Sequence, residues 1–341
     1  MIYSASSIWA NYKFNDSFYY VKRQVIFACL GIFLMIFISK IDYNLYYKKS
    51  NIILLICFIL LILVIIPGIG SVRNGSRSWF GIGSFGIQPS EAAKLGMIIF
   101  TSKYLENSNK FLKNYKKGVF PILGVLFLMF GLIMLQPDLG TGLILVMSII
   151  ALLFVAGVNM KFFIGGGVLG IIGVIILIII APYRMDRITS FINPWKDPLG
   201  TGFQIIQSLY AIGPGGLLGT GFLNSVQKQF YLPEPQTDFI FSIVTEEFGI
   251  VGCIFVVFLF SFIIYRGFKI SLNSKDSFSK YLAFGLTFQL AFQTLMNLMV
   301  VIGMIPVTGV TLPFLSYGGS SLLITLLSIG ILLNISKFIK N

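Results

Sequence analysis

Long apolar runs recur along the whole chain and constrain its fold more than any other feature of the sequence. Hydrophobic residues make up 56% of the 341 residues and charged residues only 11%, which no water-soluble core of this size could accommodate. Runs approaching the length of a bilayer crossing lie at about residues 20–40, 52–67, 89–102, 118–135, 139–157, 162–182, 239–264, 281–302 and 311–335. The sequence therefore predicts an all-α polytopic membrane protein with nine full spans, forming a single integral membrane domain over residues 1–341.

Basic residues give the predicted topology. The formal net charge is +13, with 25 Lys and Arg against 12 Asp and Glu, and in a soluble domain this would indicate nucleic acid. Here one alternating set of loops holds most of the basic residues, which the positive-inside rule places in the cytoplasm together with the C-terminus. Residues 71–88, 136–138, 182–237 and 303–310 are then outside, and we expect no nucleic-acid partner.

The predicted outer loop at 182–237 is much longer than the other loops and is rich in Gly, Pro and aromatic residues. Long ordered loops are commonly functional. Within it, the sequence GFQIIQSLYAIG has helical spacing of its apolar residues, which predicts a short amphipathic helix at the outer interface. A simple surface helix that caps the bundle is the alternative interpretation.

The chain contains no histidine, so Ser-His-Asp triads, Cys-His pairs and the usual His-containing zinc sites are excluded. An acid or base catalyst must then be a carboxylate, Lys or Tyr. The three cysteines, Cys29, Cys57 and Cys253, all lie inside apolar runs, where a thiol behaves as a small hydrophobe.

Four carboxylates surround the start of the apolar run at 239–264, namely Glu234, Asp238, Glu246 and Glu247. Asp238 follows a Pro-rich loop at the predicted membrane surface, where it can serve as a helix N-cap or as a general base. Asn caps a helix about as well as Asp but cannot take a proton, so an Asn substitution separates the two roles. Glu246 and Glu247 lie about 12 to 14 Å further along a helix, where structural pairing is the favoured interpretation over catalysis.

Candidate ligands for an anionic lipid lie in other predicted outer segments. Glu91 and Lys94 are three residues apart on one helical face, and can form either a structural ion pair or an anion-binding pair. Arg77 and Trp79 stand in a Gly-rich loop, where they can contact a phosphate and a sugar or simply anchor the interface. Further cations in the long loop are Arg184, Arg187, Lys196 and Lys228.

The segment IPVTGVTLPFLSYGGSS, between two predicted spans, combines prolines with paired glycines. This pattern indicates broken or re-entrant backbone, which a membrane tolerates only beside a cavity. Its serines, Ser316, Ser320 and Ser321, are interpreted as partners of freed backbone groups, and not as nucleophiles.

Five motifs, in order along nearly the whole chain, resemble the SEDS family of peptidoglycan polymerases, and more closely its FtsW and SpoVE branch. They are RSWFGIGSFGIQPSE, QPDLGTG, RMDRITSFINPWKDPLGTGFQIIQSLYAIGPGGLLGTG, NSVQKQFYLPEPQTDFIFSIVTEEFG and PVTGVTLPFLSYGGSS. The chain departs from the family in two places. Against the family's ten helices, YSASSIWA is expected to be the end of the first helix, and Gln236 stands where many relatives have His.

The resemblance implies an inverting glycosyltransferase of the bacterial cytoplasmic membrane, active on its outer face in cell division or spore wall synthesis. It would polymerise lipid II onto undecaprenyl-diphosphate-linked glycan with a divalent cation, Mg²⁺ or Mn²⁺, and no organic cofactor. A class B penicillin-binding protein would be its partner, and membrane lipids its surroundings. Asp238 matches the family's essential aspartate, and Glu91 and Lys94 match its functional pair. The expected substrate-binding residues are Glu91, Lys94, Arg77, Trp79, Arg184, Arg187, Gln204 and Lys228.

Two other functions remain open from the sequence. A lipid II flippase or transporter would use the buried charges and the broken helix near the SYGGSS sequence as a translocation path. A non-catalytic scaffold would instead recruit a penicillin-binding protein. Polymerisation of lipid II by the wild type and by Asp238→Asn distinguishes these alternatives from the enzyme.

Overall fold

The structure is a computed structural model that describes residues 1–73, 75–81, 86–108, 115–180 and 182–339. Residues 74 and 82–85, which belong to the predicted outer loop at 71–88, lie outside the described residues.

The described chain is mostly helical, which confirms the all-α prediction apart from one short hairpin. The first part contains α1 (Ile2–Phe14), α2 (Tyr19–Ile38), α3 (Asn44–Ile65), β1 (Ser71–Arg73), β2 (Ser76–Trp79), α4 (Pro89–Ser108), α5 (Tyr115–Gly118), α6 (Phe120–Met134) and α7 (Leu139–Val155). The remainder contains α8 (Met160–Ile180), α9 (Pro182–Ile192), α10 (Phe203–Ile212), α11 (Ile240–Leu272), α12 (Ser277–Val301) and α13 (Gly319–Ser336).

Among the described residues, six helices are long and apolar enough to cross a membrane, namely α2, α3, α8, α11, α12 and α13. Two further apolar helices, α6 and α7, are shorter. Each predicted apolar run overlaps a helix, whereas the count of nine full spans stays a prediction. The last run differs from its prediction, because α13 begins only at Gly319 and the residues before it are not helical. Pro306 and Pro313 interrupt that stretch, since proline cannot donate a backbone hydrogen bond.

The chain divides into two compact units. Unit 1 consists of Met1–Gln24, Asn159–Ser261 and Gln293–Tyr317, and unit 2 consists of Val25–Val158, Phe262–Phe292 and Gly318–Asn341.

In unit 2, α4 packs against α3, α6, α7 and α13. Its small residues allow this close approach: a Cβ built on Gly96 would lie 2.7 Å from the Cys57 sulfur of α3. Asp138 begins α7, because its side chain accepts a hydrogen bond from Thr141 N at 3.1 Å and so caps the helix. The chain therefore buries both faces of α4, the helix that carries Glu91 and Lys94.

In unit 1, α11 is broken at Gly249, whose φ of 59° and ψ of −155° are not helical. The neighbouring loop at 216–221 supplies the hydrogen bonds that the helix loses. Thr220 N and Gly221 N donate to the carbonyls of Glu246 and Glu247 at 2.9 and 3.1 Å. Beyond the break, Ile250 N and Val251 N donate to Gly216 O and Leu217 O at 3.0 and 3.2 Å. A membrane helix can be interrupted where neighbouring protein satisfies its backbone in this way.

Candidate functional site

Asp238 lies in unit 1, partly buried, at the end of the long loop and two residues before α11 begins at Ile240. The chain before it is stiffened by Pro233 and Pro235, and Thr237 N and Oγ1 both donate to Glu234 O, at 3.0 and 2.9 Å. Asp238 is thus placed at a helix entrance, where the partial positive charge of the amide groups stabilises a carboxylate.

A non-helical segment between α12 and α13, residues 302–318, lies beside Asp238. Gly309 has a φ of +75°, and a Cβ built on it would lie 3.7 Å from Asp238 Oδ2. The backbone of this segment therefore passes close to the carboxylate that the sequence singled out.

The arginines of α9 lie on one face of that helix, three residues apart. Arg184 is buried, with 8% of its surface exposed. Arg187 is exposed, and its Nη1 donates to Val307 O at 2.9 Å. This contact ties Arg187 to the same segment that passes Asp238.

Gln204 lies in the first turn of α10 and is partly buried, within the region predicted to form an amphipathic helix. The helix is held by Ser208, whose hydroxyl donates to Val301 O at 2.7 Å and lies 2.8 Å from Ser242 Oγ. Because Ser242 is in the first turn of α11, α10 packs beside the helix that Asp238 precedes.

Lys228 is engaged elsewhere in unit 1. Its amine is buried and lies 2.9 Å from Glu247 Oε1 and 3.1 Å from Ser4 Oγ, and Ser4 also donates to Glu247.

Glu246 accepts hydrogen bonds from Ser225 Oγ at 2.6 Å and Val226 N at 2.7 Å. These contacts match the structural pairing expected of Glu246 and Glu247. Lys228 thus forms a buried ion pair with Glu247, and its contact with substrate stays a prediction.

Unit 2 contains a second polar cluster. Lys94 Nζ lies 3.0 Å from Glu91 Oε1, and both residues are buried, with exposed fractions of 0% and 6%. Gln88 Nε2 donates to Asp138 Oδ2 at 2.8 Å. Burial raises the pKa of the Asp138 carboxyl above its ordinary value, and the hydrogen bonds from Thr141 oppose this shift. The cluster therefore combines a buried ion pair with a carboxyl group whose pKa is raised by burial.

Arg77 and Trp79 lie two residues apart on β2, which pairs antiparallel with β1 in unit 2. Arg77 pairs with Val72 and Trp79 pairs with Ser71, so the register shifts by one residue between them and the regular alternation of a strand is interrupted there. Both are partly buried, and Ser78 between them is buried. The hairpin was not predicted, because its two strands are only three and four residues long.

Several polar residues at these places are not among the predicted site residues. Asp138 and Gln88 lie within the family motifs, and Asn297 lies inside the apolar helix α12. Its side-chain amide lies against the carbonyl of Asp238 at 2.7 Å. An Asn inside an apolar helix is a signal for such a contact, because its polar groups need partners in the membrane.

The predicted divalent cation finds no obvious site in this donor set. Among the described residues, no three His, Cys, Asp or Glu side chains are grouped closely enough to hold a metal ion. Asp238 alone does not make such a group, and the cation stays a prediction.

Comparison with known proteins gives the same family along the entire chain. The model of the family described as "Cell cycle protein", FtsW/RodA/SpoVE, matches residues 1–341. Stage V sporulation protein E of Bacillus subtilis is 52% identical over 338 residues, which cover 99% of this chain and 92% of that protein. A "Probable peptidoglycan glycosyltransferase FtsW" of a Geobacter species is 40% identical over 336 residues, 98% of this chain and 92% of that protein.

Two solved structures have the same fold. One comes from work described as "Structural coordination of polymerization and crosslinking by a peptidoglycan synthase complex", with a TM-score of 0.79, 32% identity, and coverage of 93% of this chain and 89% of that one. The other is the rod shape determining protein RodA of Thermus thermophilus, with a TM-score of 0.70, 26% identity, and coverage of 100% and 94%. The motifs, the fold and the full-length matches agree, and the chain belongs to the FtsW/RodA/SpoVE family, the SEDS proteins.

Proposed function

We propose that Asp238 is the general base of a peptidoglycan glycosyltransferase that polymerises lipid II. The enzyme class follows from the family, whose FtsW relatives carry that activity in their names. The observation that carries the assignment of the base is the position of Asp238, partly exposed at a helix entrance and beside the 302–318 segment. Asp238 is partly exposed, whereas Glu246 and Glu247 are buried, with exposed fractions of 1% and 0%.

In the proposed reaction, Asp238 accepts the proton of the acceptor sugar's 4-hydroxyl as that oxygen attacks the anomeric carbon of the lipid-linked strand. The new bond joins the oxygen to the anomeric carbon, and the bond from that carbon to the diphosphate breaks. Attack from the face opposite the leaving group inverts the configuration. Undecaprenyl diphosphate leaves with the bonding electrons, and its growing charge requires nearby cations.

Arg187 and Arg184 are our candidates for this charge stabilisation in unit 1. Arg187 is exposed and is anchored to Val307, two residues from Gly309, and Arg184 lies on the same face of α9. Guanidinium groups suit this role because they bind phosphate oxygens in a planar, bidentate arrangement. Gln204 of α10 is proposed as a further substrate contact. In unit 2, Glu91, Lys94, Arg77 and Trp79 remain proposed ligands of the lipid-linked substrate.

We further propose that the protein acts in the bacterial cytoplasmic membrane, with its active site outside and its C-terminus in the cytoplasm. A class B penicillin-binding protein is the proposed partner. The similarity to a chain from a peptidoglycan synthase complex supports this pairing. The matched relatives include a sporulation protein and FtsW proteins. A role in cell division and a role in spore wall synthesis both agree with these matches.

The decisive experiment compares strand formation from lipid II by the purified wild type and by Asp238→Asn, each with its penicillin-binding partner. We expect Asp238→Asn to lose about 10²- to 10⁴-fold in polymerisation rate, because Asn cannot accept the proton. Asp197→Asn is the matched control, since Asp197 lies in the same long loop and its carboxylate accepts from Thr201 N and Oγ1, at 2.8 and 3.3 Å. Equal rates from wild type and Asp238→Asn would refute the assignment of the base.

A transporter remains the second candidate, and the break of α11 at Gly249 together with the buried ion pair of Glu91 and Lys94 favours it. Movement of labelled lipid II across vesicles without strand formation would favour this alternative. Retained binding of the partner with neither activity would favour a scaffold.

A further inference from the structure

Three consecutive carbonyl groups, those of residues 236, 237 and 238, each accept a hydrogen bond from elsewhere in unit 1. Tyr317 N donates to Gln236 O at 2.8 Å. Ser316 Oγ donates to Thr237 O at 2.7 Å, and Asn297 Nδ2 donates to Asp238 O at 2.7 Å. We call these three hydrogen bonds the Asp238 clamp.

Both side chains of the clamp are buried and each makes a second hydrogen bond. Asn297 has 0% of its surface exposed, and its Nδ2 also donates to Val310 O at 2.7 Å. Ser316 is 4% exposed, and its Oγ also accepts from Leu312 N at 2.8 Å. Each side chain therefore links residues 236–238 to the 302–318 segment. These hydrogen bonds couple the positions of the two segments.

The clamp acts just outside the regular part of α11. Ser242 N donates to Phe239 O at 3.0 Å, one residue after Asp238. The hydrogen bonds of the helix thus begin beyond the candidate base, and the orientation of Asp238 depends on what holds its own carbonyl. Gly309, near Asp238 Oδ2, belongs to the segment that the clamp fixes.

We propose that Asn297 and Ser316 are positioning residues for the general base, an inference that rests on the proposed function of Asp238. They hold the backbone of residues 236–238 so that the carboxylate meets the acceptor hydroxyl in a reactive geometry. A displacement of a catalytic group by about 1 Å can cost about 10²-fold in rate. Neither residue touches the reacting atoms, so their loss should affect the chemical step and leave substrate binding intact.

The test uses the full chain with its partner and measures kcat and KM for lipid II together with the free energy of unfolding. Asn297→Leu removes the amide donors at similar volume, and Ser316→Ala removes the hydroxyl. We expect each to lower kcat by about tenfold to a hundredfold with KM changed by less than about twofold. Ser316→Thr keeps a hydroxyl and should restore most of the rate.

Matched controls separate positioning from general stability. Ser271→Ala removes a buried serine of unit 2 that donates to Lys280 O at 2.8 Å. Asn334→Leu removes a buried asparagine of unit 2 whose Nδ2 donates to Ser39 O at 3.0 Å. Both control variants should lose about as much free energy of unfolding as Asn297→Leu and Ser316→Ala. They should keep kcat within about twofold of the wild type.

The proposal is overturned if Ser316→Ala keeps the wild-type kcat, or raises KM alone, while Asp238→Asn is inactive. If Asn297→Leu does not fold, the comparison of Ser316→Ala, Ser316→Thr and Ser271→Ala decides the question. Equal polymerisation by wild type and Asp238→Asn would instead overturn the proposed function.

Discussion

At the scale of single residues, the buried ion pair of Lys228 and Glu247 allows a test of whether these two charges stabilise the fold. Lys228 is 4% exposed and Glu247 0%, so removing either partner leaves a charge without compensation in a low-dielectric environment. We predict that Lys228→Met destabilises the protein by about 3 to 5 kcal/mol. The double variant Lys228→Met/Glu247→Gln should recover most of that loss. Unfolding in mixed micelles titrated with dodecyl sulfate measures both free energies.

The exposed pair of Lys22 and Asp16 is the control for this prediction. Lys22 has 66% of its side chain exposed, and solvent screens its interaction, so Lys22→Met should leave unfolding almost unchanged. If Lys228→Met and the double variant were equally unstable, the ion pair would not explain the loss. An additional role of Lys228 in binding substrate would appear as an increase of KM in the double variant, after its stability is restored.

At the scale of the element, the break in α11 depends on Gly249. Its φ of +59° is costly for any residue with a Cβ, by about 1 to 3 kcal/mol. A Cβ there would also lie 2.6 Å from Leu217 O and 2.5 Å from Gly219 N, both of which are backbone atoms. We predict that Gly249→Ala is destabilised by more than the backbone cost alone, measured by the same unfolding titration.

Gly166→Ala in α8 is the matched control, because a Cβ at Gly166 meets no atom within 4 Å. Since Ala is a better helix former than Gly, this variant should be neutral or more stable by up to about 1 kcal/mol. Equal stability of Gly249→Ala and the wild type would show that α11 can continue unbroken through this position.

The limits of sequence reasoning are clearest at this same helix. The apolar run at 239–264 predicted the helix, because hydrophobicity and length are local properties of the sequence. The break could not be predicted, since it requires the distant loop at 216–221 to supply four backbone hydrogen bonds. Asp238 was found because it stands at a helix entrance in a chain without histidine. Asn297 was missed because its role depends on a contact 59 residues away in sequence.

At the scale of the whole molecule, the distribution of basic residues leads to a prediction about orientation. Their concentration in one alternating set of loops should keep those loops in the cytoplasm, since positively charged loops are poorly translocated. Leu199 belongs to the opposite set, within 182–237, and is 88% exposed. Lys275 belongs to the basic set, between α11 and α12, and is exposed. The two positions should therefore face opposite sides of the membrane.

This orientation can be measured by cysteine labelling in intact cells. In a background without Cys29, Cys57 and Cys253, Leu199→Cys should react with a membrane-impermeant maleimide, whereas Lys275→Cys should react only after permeabilisation. Both single-cysteine variants must still polymerise lipid II. This control excludes protein that is inserted in the wrong orientation. The reverse labelling pattern would place residues 182–237, and Asp238 directly after them, in the cytoplasm. An acceptor sugar at the outer face of the membrane could not then reach the base, and the proposed mechanism would fail with the topology.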